Sequence, residues 1–126
     1  MLTSTPVFMF MFNSLKITGI ITVGQLLFCS MAAFAFARLN FPGKKVLFAL
    51  LLSSMMVPHQ VTIVPIFMLM KWLHLLDTHA SLILPGCVSA FGVFFLRQFF
   101  KTIPQDLEDS ARIDGANNYR IYFQIF

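Results

Sequence analysis

Three long stretches without a charged residue constrain this chain more than any other feature. They cover residues 17–37, 46–70 and 78–96. A helix rises about 1.5 Å per residue and the hydrocarbon core of a bilayer is about 30 Å thick, so about 20 residues suffice to cross it. Lipid offers no partner for backbone polar groups, so we expect helices rather than strands. The sequence therefore predicts an all-α, polytopic integral membrane protein with three transmembrane helices.

The composition supports lipid as the solvent of this chain. Apolar residues make up 58% of the sequence and charged residues 11%, against about 45–50% and about 25% in soluble domains. So few charges cannot cover the surface that a soluble domain of this size exposes. The net charge of +4 would favour nucleic-acid binding in a soluble protein. Here the basic residues lie at the ends of apolar stretches, so we expect no nucleic-acid partner.

Lysine and arginine residues lie mainly on one side of the predicted membrane. Loops rich in these residues stay in the cytoplasm, which places the 38–45 loop and the segment after residue 96 there. The first stretch then enters from outside, the second leaves and the third returns. Lys16 and Lys71 are the two basic residues on the outer side. The seven on the inner side are Arg38, Lys44, Lys45, Arg97, Lys101, Arg112 and Arg120.

The second stretch contains polar residues and prolines near its centre. Pro58, His59 and Gln60 lie there, and Pro65 follows them. Proline bends a helix because it removes a backbone donor and clashes with the preceding turn. Polar side chains at membrane depth are costly unless they face protein or water. Two interpretations remain open: these residues line a substrate pathway, or the helix is kinked and its polar groups bond to neighbouring helices.

The first stretch indicates both where its helix begins and how it packs. Asparagine and serine suit the start of a helix, so we expect Asn13 or Ser14 to be its N-cap. Small residues let membrane helices approach closely, and we expect those of the first stretch to pack inside the protein, or alternatively against a second subunit. These small residues are Gly19, Gly24, Ser30, Ala33 and Ala37.

The segment after residue 100 changes character and becomes amphipathic. Pro104 fits the first turn of a helix, and the acidic residues just after it suit the positive end of the helix dipole. Gly115 is a natural helix stop, and aromatic residues then recur at helical spacing. We expect a short cytoplasmic helix, a tight turn at Asp114 and Gly115, and a second helix. Such a projection inserts into a partner's groove or, alternatively, lies on the lipid surface.

Residue patterns that carry enzyme chemistry are missing from the sequence. It contains no phosphate-binding glycine loop, no nucleophile elbow and no zinc pattern of Cys and His. We expect Cys29 and Cys87 to be buried small apolar residues. His74, Asp77 and His79 lie close together in sequence, but on a loop this short we expect them to be solvated. The chain is therefore predicted to be no enzyme and to hold no metal.

The segment after residue 100 resembles the cytoplasmic EAA loop of permease subunits of bacterial ABC importers. That pattern reads Glu-Ala-Ala, three residues, Gly, nine residues, then Ile-x-Leu-Pro. Asp109, Ser110 and Ala111 stand at the first three positions. Gly115 and Ile125 stand at the Gly and Ile positions. Asp109 retains the negative charge of the glutamate that it replaces.

Further blocks resemble the carbohydrate branch of that family, represented by the second permease of the maltose and glycerol-phosphate importers. They occur in order along nearly the whole chain from Asn13 onward. The blocks are residues 13–16, 35–38 with 41–44, 56–58 with Pro65, 94–98 and 111–116.

The resemblance implies a multi-pass permease of the bacterial cytoplasmic (inner) membrane, in an ABC importer for sugars or related polyols. Its partners would be a second permease subunit, cytoplasmic ABC ATPase subunits, an extracytoplasmic solute-binding protein and membrane lipid. ATP would be bound by the ATPase, so this chain itself would need no cofactor. The implied ATPase-coupling residues are Leu107, Glu108, Asp109, Ser110, Ala111, Arg112, Asp114, Gly115 and Ala116.

Full permeases of this family carry more spans than the three predicted here. We therefore expect residues 1–126 to be a partial ABC type-1 transmembrane domain, with its coupling loop at about 102–126. Two alternatives stay open. One is a permease for another substrate class, such as amino acids or peptides, and the other is a small non-transport membrane protein that regulates a larger complex.

Overall fold

Seven α-helices form the part of the chain that the structure, a computed structural model, describes: residues 6–126. No strand occurs within this range, and the predicted all-α fold is confirmed. The first five residues of the predicted 1–126 domain lie outside the described residues. The helices are α1 (Val7–Arg38), α2 (Lys44–Ser54), α3 (His59–Trp72), α4 (Ala80–Gly86), α5 (Ala90–Thr102), α6 (Gln105–Ile113) and α7 (Asn118–Ile125).

α1 is one long helix that begins earlier than predicted. It contains 32 residues, which corresponds to about 48 Å at 1.5 Å per residue. The Phe10 N–H donates to the Pro6 carbonyl (3.0 Å) in its first turn. The apolar run after Pro6 contains no helix breaker, so the helix continues through it. The prediction that Asn13 or Ser14 caps the helix was wrong, since both lie inside α1.

The second predicted span is broken rather than kinked. α2 and α3 meet at an angle of 102°, and Pro58 between them has an extended backbone (φ −59°, ψ 137°). Proline lacks the N–H that a continuous helix needs, and it disfavours helical backbone at Val57 before it. The prediction of one continuous helix over 46–70 was therefore wrong at its centre. Pro65, by contrast, is accommodated inside α3.

α4 and α5 together form the third predicted span. They run from Ala80 to Thr102 as an apolar path of 23 residues, interrupted at 87–89. Ser89 Oγ accepts a hydrogen bond from the Gly92 N–H (3.3 Å) and so caps α5. This path and α1 are long and apolar enough to cross a membrane, and the bent α2–α3 pair is a third candidate. The predicted polytopic fold is confirmed.

Glycines let α1 approach the α4–α5 path closely. A Cβ atom added to Gly24 would lie 2.7 Å from Cys87 Sγ, and one added to Gly92 would lie 3.2 Å from Cys29 Sγ. Cys29 is buried, as predicted, and Cys87 is half-buried. The predicted internal packing is confirmed for Gly24, whereas a Cβ atom at Gly19 would meet nothing within 4 Å.

Gly24→Leu is expected to weaken the contact between α1 and the α4–α5 path, whereas Gly19→Leu is not. The leucine at position 24 would displace Cys87, and overpacking of this kind costs about 1–3 kcal/mol. Both substitutions make the same change in helix propensity, so Gly19→Leu is a matched control. Thermal unfolding in detergent micelles measures the difference, and equal unfolding temperatures for the two variants would contradict the packing described here.

Contacts along α1 show that it runs parallel to the α4–α5 path. The Gln25 side chain donates to the Gly86 carbonyl (2.8 Å), and Arg38 donates to the Phe100 carbonyl (2.7 Å). Arg38 follows Gln25 by 13 residues and Phe100 follows Gly86 by 14. The two elements therefore run in the same direction, side by side. They therefore finish at the same end of the molecule. This agrees with the predicted orientation, in which the first and third spans finish on one side.

The buried core lies at this shared end, where α1, α5 and α7 meet. It consists of Ala33, Phe34, Phe100 and Ile121. The Phe126 ring extends it, with its centre 5.2 Å from that of Phe34 and 5.0 Å from that of Phe100. The small residue Ala33 is fully buried here, which confirms internal packing at this position also.

Large apolar side chains cover the outside of the helices. Phe8, Phe28 and Phe67 are each more than half exposed, and so is Trp72 at the end of α3. Monomeric soluble proteins rarely expose contiguous apolar patches of this extent. In a bilayer the same side chains are solvated by lipid, and a tryptophan at a span end suits the interface.

Candidate functional site

The segment after α5 folds into two short helices joined by a tight turn at Gly115. Gly115 has a φ of +82°, a left-handed conformation that glycine adopts without steric cost. Its N–H donates to the Arg112 carbonyl (3.0 Å), and the Ala116 N–H donates to the Ala111 carbonyl (2.9 Å). These two bonds form a Schellman motif, which satisfies carbonyls at the end of α6. The predicted helix, turn and second helix are confirmed.

Side-chain hydrogen bonds fix α7 relative to α6. Asn117 Oδ1 accepts from the Arg120 N–H (2.9 Å) and so caps α7. Arg112 Nη2 donates to Asn118 Oδ1 (2.9 Å) across the turn. We call the segment that contains α6, the Gly115 turn and α7 (residues 105–125) the tail hairpin. These bonds make it a structured unit.

α7 docks the tail hairpin on α1. Ile121 is fully buried in the core, and the hydroxyl groups of Tyr122 and Ser30 are hydrogen-bonded to each other. The Tyr122 ring packs edge-on against Phe34, with 5.5 Å between ring centres. The tail hairpin is therefore held at the end of the molecule where α1 and α5 finish.

α6 divides the predicted coupling residues between an inner and an outer face. Glu108 is 4% exposed and Ala111 is half-buried, so both face inward. Ala116, after the turn, is also half-buried and packs against the core. Ile113 was not singled out from the sequence, yet it is 86% exposed; its apolar side chain beside the turn was the available signal. The exposed predicted residues are Leu107, Asp109, Ser110, Arg112, Asp114 and Gly115.

An ion pair that was not predicted from the sequence holds the inner face of α6. Glu108 Oε1 lies 2.9 Å from Arg38 Nε, and both side chains are at least nine-tenths buried. Arg112 Nη2 lies 4.0 Å from Glu108 Oε2, and the Arg112 side chain is 45% accessible. Arg38 and Glu108 are 70 positions apart in sequence, so no local pattern indicates their pairing.

The predicted pathway residues lie at the break between α2 and α3. Pro58, His59 and Gln60 are all exposed there. Of these three, His59 borders a cleft of about 610 Å³ between α1, α3 and the α4–α5 path. Among residues 6–126, no three His, Cys, Asp or Glu side chains come together as a metal site. The polar side chains that line the cleft are Gln25, His59, Ser81 and Ser89.

Comparison with known proteins gives one family. Residues 25–126 match the family described as the binding-protein-dependent transport system inner membrane component. This range begins within α1 and includes its last 14 residues, the broken α2–α3 pair, the α4–α5 path and the tail hairpin.

Two relatives are permeases by name. The arabinooligosaccharides transport system permease protein AraQ of Bacillus subtilis (strain 168) is 43% identical over 118 residues, which cover 94% of this chain and 42% of AraQ. The sn-glycerol-3-phosphate transport system permease protein UgpE of Yersinia enterocolitica is 36% identical over 122 residues, which cover 97% of this chain and 43% of UgpE. The chain thus spans less than half the length of these relatives.

A solved structure has the same arrangement of helices. It is the crystal structure of a bacterial ABC transporter involved in the import of the acidic polysaccharide alginate. The TM-score is 0.81 at 26% identity, and the match covers 90% of this chain and 40% of that chain. Sequence and fold agree, and the chain belongs to the binding-protein-dependent transport system inner membrane component family.

Proposed function

We propose that this chain supplies membrane-spanning permease structure to an ABC importer for sugars or related polyols. Support comes from its family and from the names of its relatives, which refer to arabinooligosaccharides and sn-glycerol-3-phosphate. In this role it is a multi-pass protein of the bacterial cytoplasmic membrane. A second permease subunit, cytoplasmic ATPase subunits and an extracytoplasmic solute-binding protein complete the importer. ATP binds to the ATPase, and this chain takes no cofactor and no catalytic part.

The docked tail hairpin is the observation that carries this proposal. Its inner side is fixed to the ends of α1 and α5, whereas its outer side presents Leu107 (51% exposed) and Ile113 (86% exposed). Asp109 and Arg112 add charges of both signs to that outer side. A short helix with exposed apolar and charged residues suits insertion into a groove of a partner protein.

Movement of the ATPase subunits is transmitted to the membrane helices through α6. The ATPase grips the helix between Pro104 and Gly115, and Asp109 and Arg112 supply polar contacts. α6 follows α5 after two extended residues, Ile103 (ψ 128°) and Pro104 (ψ 136°). This short connection passes a displacement of α6 to α5, which switches the membrane helices between outward-facing and inward-facing arrangements.

Co-purification tests the proposed function. The chain, expressed from its own locus with an affinity tag, is extracted in mild detergent, and we expect an ABC ATPase subunit to co-purify with it. Reconstituted vesicles loaded with ATP are then assayed separately for uptake of an arabino-oligosaccharide, of sn-glycerol 3-phosphate, of an amino acid and of a short peptide. Purification without any ATPase would contradict the proposal and favour a regulatory membrane protein. Uptake of an amino acid or peptide alone would correct the substrate class.

His59→Leu is expected to lower uptake several-fold, whereas Gln60→Leu changes it little. His59 borders the cleft described above and Gln60 does not. His59→Leu removes a polar group that could hydrogen-bond to the passing solute. One such hydrogen bond contributes about 0.5–1.5 kcal/mol to binding. Initial uptake rates in vesicles, normalised to inserted protein, measure the effect. Equal uptake rates for both variants would show that His59 does not line the substrate pathway.

A further inference from the structure

Arg38, the last residue of α1, contacts three other segments with one guanidinium group. Its Nη2 donates to the carbonyls of Phe100 (2.7 Å) and Ile103, at the end of α5. Its Nε lies 2.9 Å from Glu108 Oε1 on α6. Its guanidinium carbon lies 5.2 Å from the centre of the Phe126 ring, beyond α7. One side chain therefore joins the ends of α1 and α5 to the inner face of α6.

Burial makes these contacts interdependent. The side chains of Arg38 and Glu108 are 10% and 5% accessible, and a buried charge is costly unless it is paired. Within residues 6–126, Arg38 Nε and Glu108 Oε1 form no hydrogen bond, and the ion pair between them is the polar contact of both atoms. Each charge is therefore compensated mainly by the other. The planar fork of arginine reaches carbonyls and carboxylate together, which a lysine ammonium cannot do.

Glu108 differs from the acidic residues beside it on α6. Both ion pairs among residues 6–126 involve Glu108. Asp109 is the next residue along the chain, but it is exposed and makes no such pair within that range. The two carboxylates share a helix and a charge and differ in contact with Arg38. Asp109 therefore serves as a matched control for Glu108.

We propose that Arg38 is a positioning residue that ties α6 to the end of α1, so that displacement of α6 moves α1 together with α5. α7 also docks on α1 through Ile121, but it lies beyond the Gly115 turn. Arg38 is thus the direct polar link from α1 to α6. The source of the displacement of α6 rests on the proposed function. The contact between Arg38 and α6 does not depend on it.

Hydrogen–deuterium exchange of the chain in lipid nanodiscs tests this link. Arg38→Met and Glu108→Gln each leave a buried group without its partner. We expect amide exchange across residues 105–113 to become about tenfold faster or more in both variants, because α6 opens more often. Asp109→Asn is expected to leave exchange within about twofold of the wild type. Unchanged exchange in the Arg38 and Glu108 variants would overturn the proposal.

Two further variants keep the test decisive if single substitutions prevent folding. Arg38→Lys retains a positive charge and loses the fork, so exchange over 105–113 should still rise. The double variant Arg38→Met/Glu108→Leu buries no charge, and such replacements are tolerated in other proteins. We expect it to unfold at the wild-type temperature. Wild-type exchange in a folded Arg38→Lys chain would also overturn the proposal.

The ratio of solute uptake to ATP hydrolysis in the assembled importer separates positioning from stability. Loss of folded protein lowers both rates together, so a purely structural role leaves the ratio unchanged. We expect the double variant to lower the ratio for arabino-oligosaccharide or sn-glycerol 3-phosphate about fivefold or more. A wild-type ratio would overturn the role of Arg38. If the wild-type assembly shows no ATP-driven uptake, the proposed function fails, and the exchange result still decides the link.

Discussion

Gly115→Val is expected to lower ATP-driven uptake by a factor of about ten or more while membrane insertion stays normal. Gly115 has a φ of +82°, and a β-branched residue held in this region costs about 1–3 kcal/mol. The strain opens the Schellman motif and releases the end of α6 from α7. The turn is not part of any candidate membrane span, so membrane insertion is expected to be unaffected. Uptake in vesicles, normalised to inserted protein, measures the loss.

Gly115→Asn is the matched control for this prediction. Asparagine tolerates the left-handed conformation far better than valine does and also occurs at helix ends of this kind. We expect Gly115→Asn to retain most of the uptake. Normal transport by Gly115→Val would show that α6 does not couple ATPase movement to the membrane helices. Equal losses in both variants would assign the effect to the added side chain rather than to the backbone.

Ile121→Ala is expected to lower thermal stability, whereas Ile113→Ala is expected to weaken retention of the ATPase. Ile121 is fully buried in the core, and Ile113 is 86% exposed on the tail hairpin. Truncation of a buried isoleucine costs about 2–5 kcal/mol because a cavity remains. Ile121→Ala should therefore undock the tail hairpin, which thermal unfolding in detergent detects. Ile113→Ala should leave stability unchanged and weaken retention of the ATPase.

The pair is informative because the chemical change is the same at both positions. Stability and ATPase retention are measured on the same purified samples. If Ile113→Ala lowers stability as much as Ile121→Ala does, the docked arrangement of α7 is wrong. If Ile113→Ala retains the ATPase fully, the outer side of α6 is not the surface that the partner binds.

Contiguous uncharged stretches and local backbone chemistry were readable from the sequence. The three uncharged stretches predicted the helices, and Pro104 and Gly115 predicted where α6 begins and ends. Both signals depend only on neighbouring residues, as the turn at Gly115 with its positive φ shows. The break at Pro58 was underestimated as a kink, because a proline alone does not specify the 102° angle between α2 and α3.

Contacts between distant residues were not readable in the same way. Arg38 was used to orient the chain in the membrane and as part of a family block, but its pairing with Glu108 on α6 was not predicted. Glu108 and Asp109 look alike in the sequence, and only the tertiary fold decides which of them is buried. For the same reason, His59 and Gln25 gave no sign that they border one cleft.

α1 packs against the α4–α5 path, which is synthesised about 60 residues later. Gln25 meets its partner Gly86 across 61 positions, and Cys29 meets Ser89 across 60. At about 5–20 residues per second, the ribosome needs about 3 to 12 s to synthesise that interval. During this time α1 lacks the helices that it packs against. Its exposed apolar side chains are compatible with lipid in the meantime. The glycine-lined interface with the α4–α5 path forms only after synthesis has passed residue 89.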